Sequence, residues 1–110
     1  MTTENRFNNY DPRKPCLFEL GRTVATPGAI TTLAEEYGGD KAHLAACELY
    51  HRHVRGDWGV VDAEDKASND HGVKHGERLL SAYDTPKGKR LWVITEWDRS
   101  VTTVLLPEEY

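Results

Sequence analysis

The residue types best suited to chemistry cluster near the end of the chain: Glu96, Asp98, Arg99, Thr102 and Thr103. An arginine and a threonine hydroxyl can hold a phosphate while a carboxylate or an imidazole moves a proton, which is what cleavage of RNA through its own 2′-hydroxyl requires. His53 would complete such a metal-independent ribonuclease with Glu96, Arg99 and Thr103. The same stretch also reads as plain structure, since Asp98 and Ser100 form turns, arginine suits an exposed turn and threonine is common in strands.

Two further histidine groupings invite a test. His71 and His75 stand at i and i+4, the spacing by which one helix face presents two imidazoles to zinc. Gly72 occupies the place of the glutamate that metalloproteases need there, so no metal is expected and a solvated polar helix is the simpler reading. His51 and His53 flank Arg52 and point apart on a helix. His53 with Asp57 has the makings of a general base, against the plainer expectation that Asp57 caps a turn and Trp58 plugs the core. Thr23, Thr26 and Gly28 make no phosphate loop, and the chain lacks G-x-G-x-x-G, G-x-S-x-G and C-x-x-C patterns, so no cofactor is expected.

The elements that must position these residues follow from composition and period. The chain has 110 residues, 38% apolar and 29% charged, with a formal charge of −4. That size fits one domain able to bury roughly 65% of its unfolded surface. No apolar run suits a membrane span and the first residues lack the order of a secretion signal, so a cytoplasmic protein is expected, with no membrane partner. The acidic balance gives no support to bulk phosphate attraction. Lys87, Lys89 and Arg90 on the meander turn leave nucleic-acid binding possible, though three charges in four residues more often make a solvated turn. Cys16 and Cys47, without paired spacing, read as small core residues.

Residues 1–15 read as a loosely held arm, and 16–110 as a single α+β domain. Cys16 to Leu20 is predicted as a short strand ended by Gly21. Thr26-Pro27 opens a helix with Ile30, Leu33, Ala34 and Tyr37 as its stripe, closed by Gly38-Gly39. Asp40 is expected to cap a second helix from Lys41 to about Val54, with Leu44, Cys47, His51 and Val54 on one face and Gly56 as its exit. Asp62 caps a polar third helix reaching about Lys74. Arg78–Tyr83, Arg90–Glu96 and Val101–Leu106 then form a three-stranded antiparallel meander ended by Pro107, with the helices on one sheet face. Alternation sends Trp92, Ile94 and Glu96 to one side and Leu91, Val93, Thr95 and Trp97 to the other. Both sides carry large apolar groups, so either both faces are covered or one awaits a partner.

The stretches Leu20-Gly-Arg-Thr-Val-Ala-Thr-Pro-Gly28, His53-Val-Arg-Gly-Asp-Trp-Gly59, Leu79-Leu-Ser-Ala-Tyr83 and Trp92 to Tyr110 carry a resemblance. Over roughly Leu17 to Tyr110 the chain resembles a widespread family of small bacterial proteins of plasmids, phages and other mobile elements, sometimes loosely labelled type I restriction subunits. The resemblance implies a small module that binds a macromolecule, most readily a protein, and modulates host defence such as restriction or CRISPR interference. The expected contact residues are Trp97, Asp98, Arg99 and Thr102. A looser likeness to the barnase, colicin and RelE group of small RNases, in which helices precede an antiparallel sheet, motivates the ribonuclease alternative.

Overall fold

In the computed structural model, which describes residues 15–110, the elements run β1 (Arg22–Ala25), α1 (Pro27–Tyr37), α2 (Ala42–Val54), α3 (Ala63–His75), β2 (Leu79–Asp84), β3 (Arg90–Thr95) and β4 (Val101–Leu105), with a final 3₁₀ turn at Pro107–Glu109. The class is α+β. The arm expected over 1–15 lies, apart from Pro15, outside the described residues.

The meander forms as its alternation requires, β2 antiparallel to β3 and β3 to β4. The first strand differs from the expectation. It follows Gly21 instead of ending there, and it joins the sheet parallel to β4, giving a mixed sheet of order β1-β4-β3-β2. The reason is local: Gly21 adopts φ +67°, and a Cβ there would stand 2.3 Å from the Arg99 carbonyl oxygen. Glycine lets the chain cross the β3–β4 turn at that distance before Arg22 donates its N–H to the Ser100 carbonyl. Cys16 to Leu20 forms no strand; Leu17 donates to the Val54 carbonyl, and Phe18 lies against His53 and Trp58.

Helix α1 begins as read. The Thr26 hydroxyl accepts from the Ala29 N–H, with Pro27 in the first turn. A remote group reinforces this end: the Glu109 carboxylate accepts from the Thr26 hydroxyl at 2.5 Å and from the Gly28 N–H at 3.1 Å. Those bonds, with one from the Leu106 N–H, hold Glu109 below the usual carboxylate range.

The buried faces of α1 and α2 are rotated from the expected stripes. Ala29 and Leu33 are buried while Ile30 is exposed; on α2, Ala42, Ala45, Ala46, Tyr50 and His53 face inward together with the expected Val54, and Leu44 is outside. Alanines permit close approach of the helix to the sheet, a fit that the largest-residue stripe does not anticipate. Asp40 makes no cap, the first position being Lys41 without a side-chain bond. Neither cysteine is a core residue: Cys16 is exposed and Cys47 half-buried.

Helices α1 and α2 cover the face that carries Tyr83, Leu91, Val93 and Val104. Helix α3, capped by Asp62 and closed by Gly76 in the left-handed conformation, runs beside β2. Its buried Asn69 accepts from the Leu80 N–H at 3.1 Å and donates to the Leu80 carbonyl at 2.8 Å, as a neighbouring strand would. One step further along, Val60 donates to the Ala82 carbonyl and Ala82 to the Trp58 carbonyl. A strand edge that would otherwise invite foreign pairing is thereby occupied.

Candidate functional site

Four polar side chains at inward positions form a continuous buried chain. His53 Nδ1 lies 2.5 Å from Ser81 Oγ and its Nε2 lies 2.9 Å from Thr95 Oγ1. Thr95 Oγ1 lies 2.6 Å from Thr102 Oγ1, and the Thr102 hydroxyl donates to the Leu20 carbonyl at 2.7 Å. His53, Ser81, Thr95 and Thr102 are all fully buried.

The last bond orients every other. A carbonyl accepts only, so the Thr102 proton is committed to Leu20 and Thr95 must donate to Thr102. His53 Nε2–H then donates to Thr95, which leaves Nδ1 as the acceptor from the Ser81 hydroxyl. This neutral tautomer fits its surroundings, since burial first and the nearby Arg99 second push the imidazole down to about 3. Phe18 and Trp58 meet the ring edge-on at centroid distances of 5.2 and 5.6 Å. A hydroxyl donating to an imidazole is nucleophile–base geometry, but a reacting atom needs a path to it. Here both ring nitrogens are occupied and the group is sealed, so the chain ties α2 to β2, β3, β4 and the segment before β1.

At the β3–β4 turn the arrangement is reversed. Trp97 is 66% exposed. The turn beneath it is held from several sides. The Glu96 carbonyl accepts from the Arg99 N–H at 2.9 Å, and Arg99 takes φ +61°, the one non-glycine residue with positive φ among the described residues. Its guanidinium donates to the Gly72 and Glu77 carbonyls at 3.0 and 2.6 Å and to the Glu96 and Trp97 carbonyls at 3.2 and 3.3 Å. Arg99 thus adds a side-chain donor to the Gly72 carbonyl, which already accepts from the Gly76 and Glu77 N–H groups at the end of α3, while fixing its own turn, and its guanidinium carbon stands 5.5 Å from the Phe18 ring centre. Asp98 accepts from the Ser100 N–H at 3.1 Å, and its bonds to Ser100 hold it below the usual carboxylate range.

The residues of the ribonuclease reading do not meet at one open point. His53 lies beneath Phe18, with Arg99 on that ring's other contact, and Arg99 is occupied by four carbonyls. Thr103 pairs with Ile94 and so faces away from the Thr95–Thr102 side, while Glu96 stands 3.9 Å from Arg78. Of the expected contact residues, Trp97 and Asp98 are outward, Arg99 is the brace beneath them, and Thr102 belongs to the buried chain.

The remaining candidates are engaged locally. Asp57 pairs with Arg52 at 2.7 Å and accepts from the Gly59 N–H, while Trp58 is buried and donates to Asp70 at 3.0 Å. His71 and His75 stack at 4.1 Å between centroids, and His71 Nδ1 lies 2.9 Å from Glu77. Among the described residues no three histidines, cysteines or carboxylates are grouped to hold an ion. In the basic turn, Arg90 makes a two-pronged pair with Asp84 at 2.7 and 3.0 Å, and Lys87 bonds Glu35 and Glu36. No helix among the described residues is long and apolar enough to cross a membrane.

Sequence reasoning missed Ser81 and Thr95 as partners of His53, and Phe18 as its cover. The available signal was a polar residue at an inward position of an otherwise apolar strand, twice, one on β2 and one on β3. In comparisons with known proteins, no family model, curated protein or solved structure matches the chain.

Proposed function

We propose that this chain is a non-enzymatic binding module whose contact surface is the β3–β4 turn, with Trp97 as the anchor and Asp98 on its rim. The observation that carries the reading is a tryptophan 66% exposed on a turn that Arg99 holds through four carbonyls. Tryptophan is enriched among the few residues that dominate binding energy. A turn fixed before binding loses little entropy on contact. The partner is a protein: the turn presents an ionised Asp98 beside the indole, and the chain's charge of −4 does not favour a polyanion. The likeness of residues 17–110 to mobile-element proteins supports seeking that protein in host defence, in restriction or CRISPR machinery.

Capture with the tagged full chain from a host carrying such systems tests the reading, with Trp97→Ala as the parallel bait. A protein retained by the wild type and lost by the variant is the expected result. A set of captured proteins unchanged by Trp97→Ala would overturn it.

A further inference from the structure

Cys47 and His43 sit one helical turn apart on α2, so their side chains share a face. Cys47 Sγ lies 3.7 Å from His43 Nε2. The thiol lines a groove of about 390 Å³ between α2, α1 and β1, walled by Val24, Ile30, Ala42, Ala46 and Tyr50. Helical spacing brings the two together, and neither is used in packing the core. Cys47 is half-buried, His43 is exposed, and neither belongs to the core cluster.

The geometry points to Cys47 as a reactive thiol, with His43 as its proton acceptor and the groove as the seat for a low-molecular-weight disulfide. The chemistry needs a base within reach of the thiol proton, room for the incoming sulfur and access from solvent. His43 Nε2 supplies the first and the groove the other two. The neighbouring Tyr50 does not compete as a base: its hydroxyl donates to the Val24 carbonyl at 2.7 Å, and burial together with the Cys47 charge pushes it up to about 12.

The step is an exchange with no net loss of electrons from the pair of reactants. His43 takes the Cys47 proton, and the thiolate attacks one sulfur of the disulfide RSSR. The old S–S bond breaks as the new one forms. The departing RS⁻ leaves with the bonding pair and takes the proton back from the imidazolium, so that Cys47-SH and RSSR become Cys47-SSR and RSH. The apolar walls favour an uncharged, compact R group, and the adduct would fill the groove beside β1.

Cys16 supplies an internal comparison because it is exposed. Accessibility alone would make Cys16 the faster thiol. The full chain is mixed with 4,4′-dithiodipyridine at neutral pH, and peptide mass spectrometry follows the adduct at each cysteine over time. The expected result is reaction about ten-fold faster at Cys47 than at Cys16, with His43→Ala erasing that advantage and leaving the Cys16 rate unchanged. Because His43 is exposed, its replacement leaves the core intact. Faster labelling of Cys16, or a Cys47 rate indifferent to His43→Ala, would overturn the proposal.

Discussion

The two ends of the Arg99–Phe18 contact are opposites. On one side His53, Ser81, Thr95 and Thr102 place polar groups where a core should be apolar, and every one is bonded. On the other, Trp97 places the largest apolar side chain where a surface should be polar. The first region contains the residue types from which catalytic sites are built but is closed to solvent. The second has little chemistry and full access. A buried polar chain in which every hydroxyl and both ring nitrogens are satisfied is explained by folding, because leaving any member unpaired would be costly. An exposed indole on a braced turn gains little for the fold, and it is the feature that the proposed partner would explain.

Breaking the inner region has the largest expected effect on stability. His53→Ala removes a fully buried ring and leaves Ser81 and Thr95 without their partner, so urea unfolding should show a loss of about 3–5 kcal/mol. A loss below 1 kcal/mol would mean that the chain of bonds is not what holds α2 to the sheet.

Acid sharpens the same point. The folded imidazole is held at about 3 against an ordinary 6.5, so between those values the unfolded state binds a proton that the folded state refuses. The contribution of His53 is therefore fully present above 6.5. It is lost as pH falls towards 3, at roughly 1 kcal/mol per pH unit. Urea midpoints from pH 7 to 4 should fall accordingly, and His53→Gln should flatten that slope.

Arg99 belongs to both regions. Arg99→Ala removes the side-chain donor from four carbonyls, of which those of Gly72 and Glu96 keep backbone donors, and uncovers Phe18, and should cost about 2 kcal/mol by thermal unfolding. Arg99→Lys should recover little, since an ammonium cannot span the same fork of acceptors. Trp97→Ala should change stability least, within about 0.5 kcal/mol, as expected of an exposed side chain.

The fold was legible wherever a local rule decides it. Thr26-Pro27 and Asp62 start helices, Gly76 ends one, and alternation orders β2, β3 and β4. Two features depend on tertiary fit and lay outside local pattern. Gly21 precedes a strand instead of ending one because the chain must cross the Arg99 carbonyl there. Helix α2 turns Ala42, Ala45 and Ala46 inward, a choice set by how near the sheet lies. The candidate surface was legible in part. Trp97 and Arg99 stood out as residue types, but the brace from Arg99 to the end of α3 joins positions 22 and 27 residues apart. The chain through His53, Ser81 and Thr95 spans up to 42 residues, and only the paired strands bring it together. Thr102 shares the inward side with Thr95 by register, which removes it from the contact surface expected at the hairpin.

The most direct test sets the two regions against each other in one binding titration. The partner retained by the wild-type chain is titrated with Trp97→Ala and with Ser81→Ala, a modest change inside the buried chain. Trp97→Ala should weaken the affinity about thirty-fold and Ser81→Ala should leave it within about two-fold. Binding that survives Trp97→Ala and fails with a folded Ser81→Ala would contradict it, and would place the function at the buried chain.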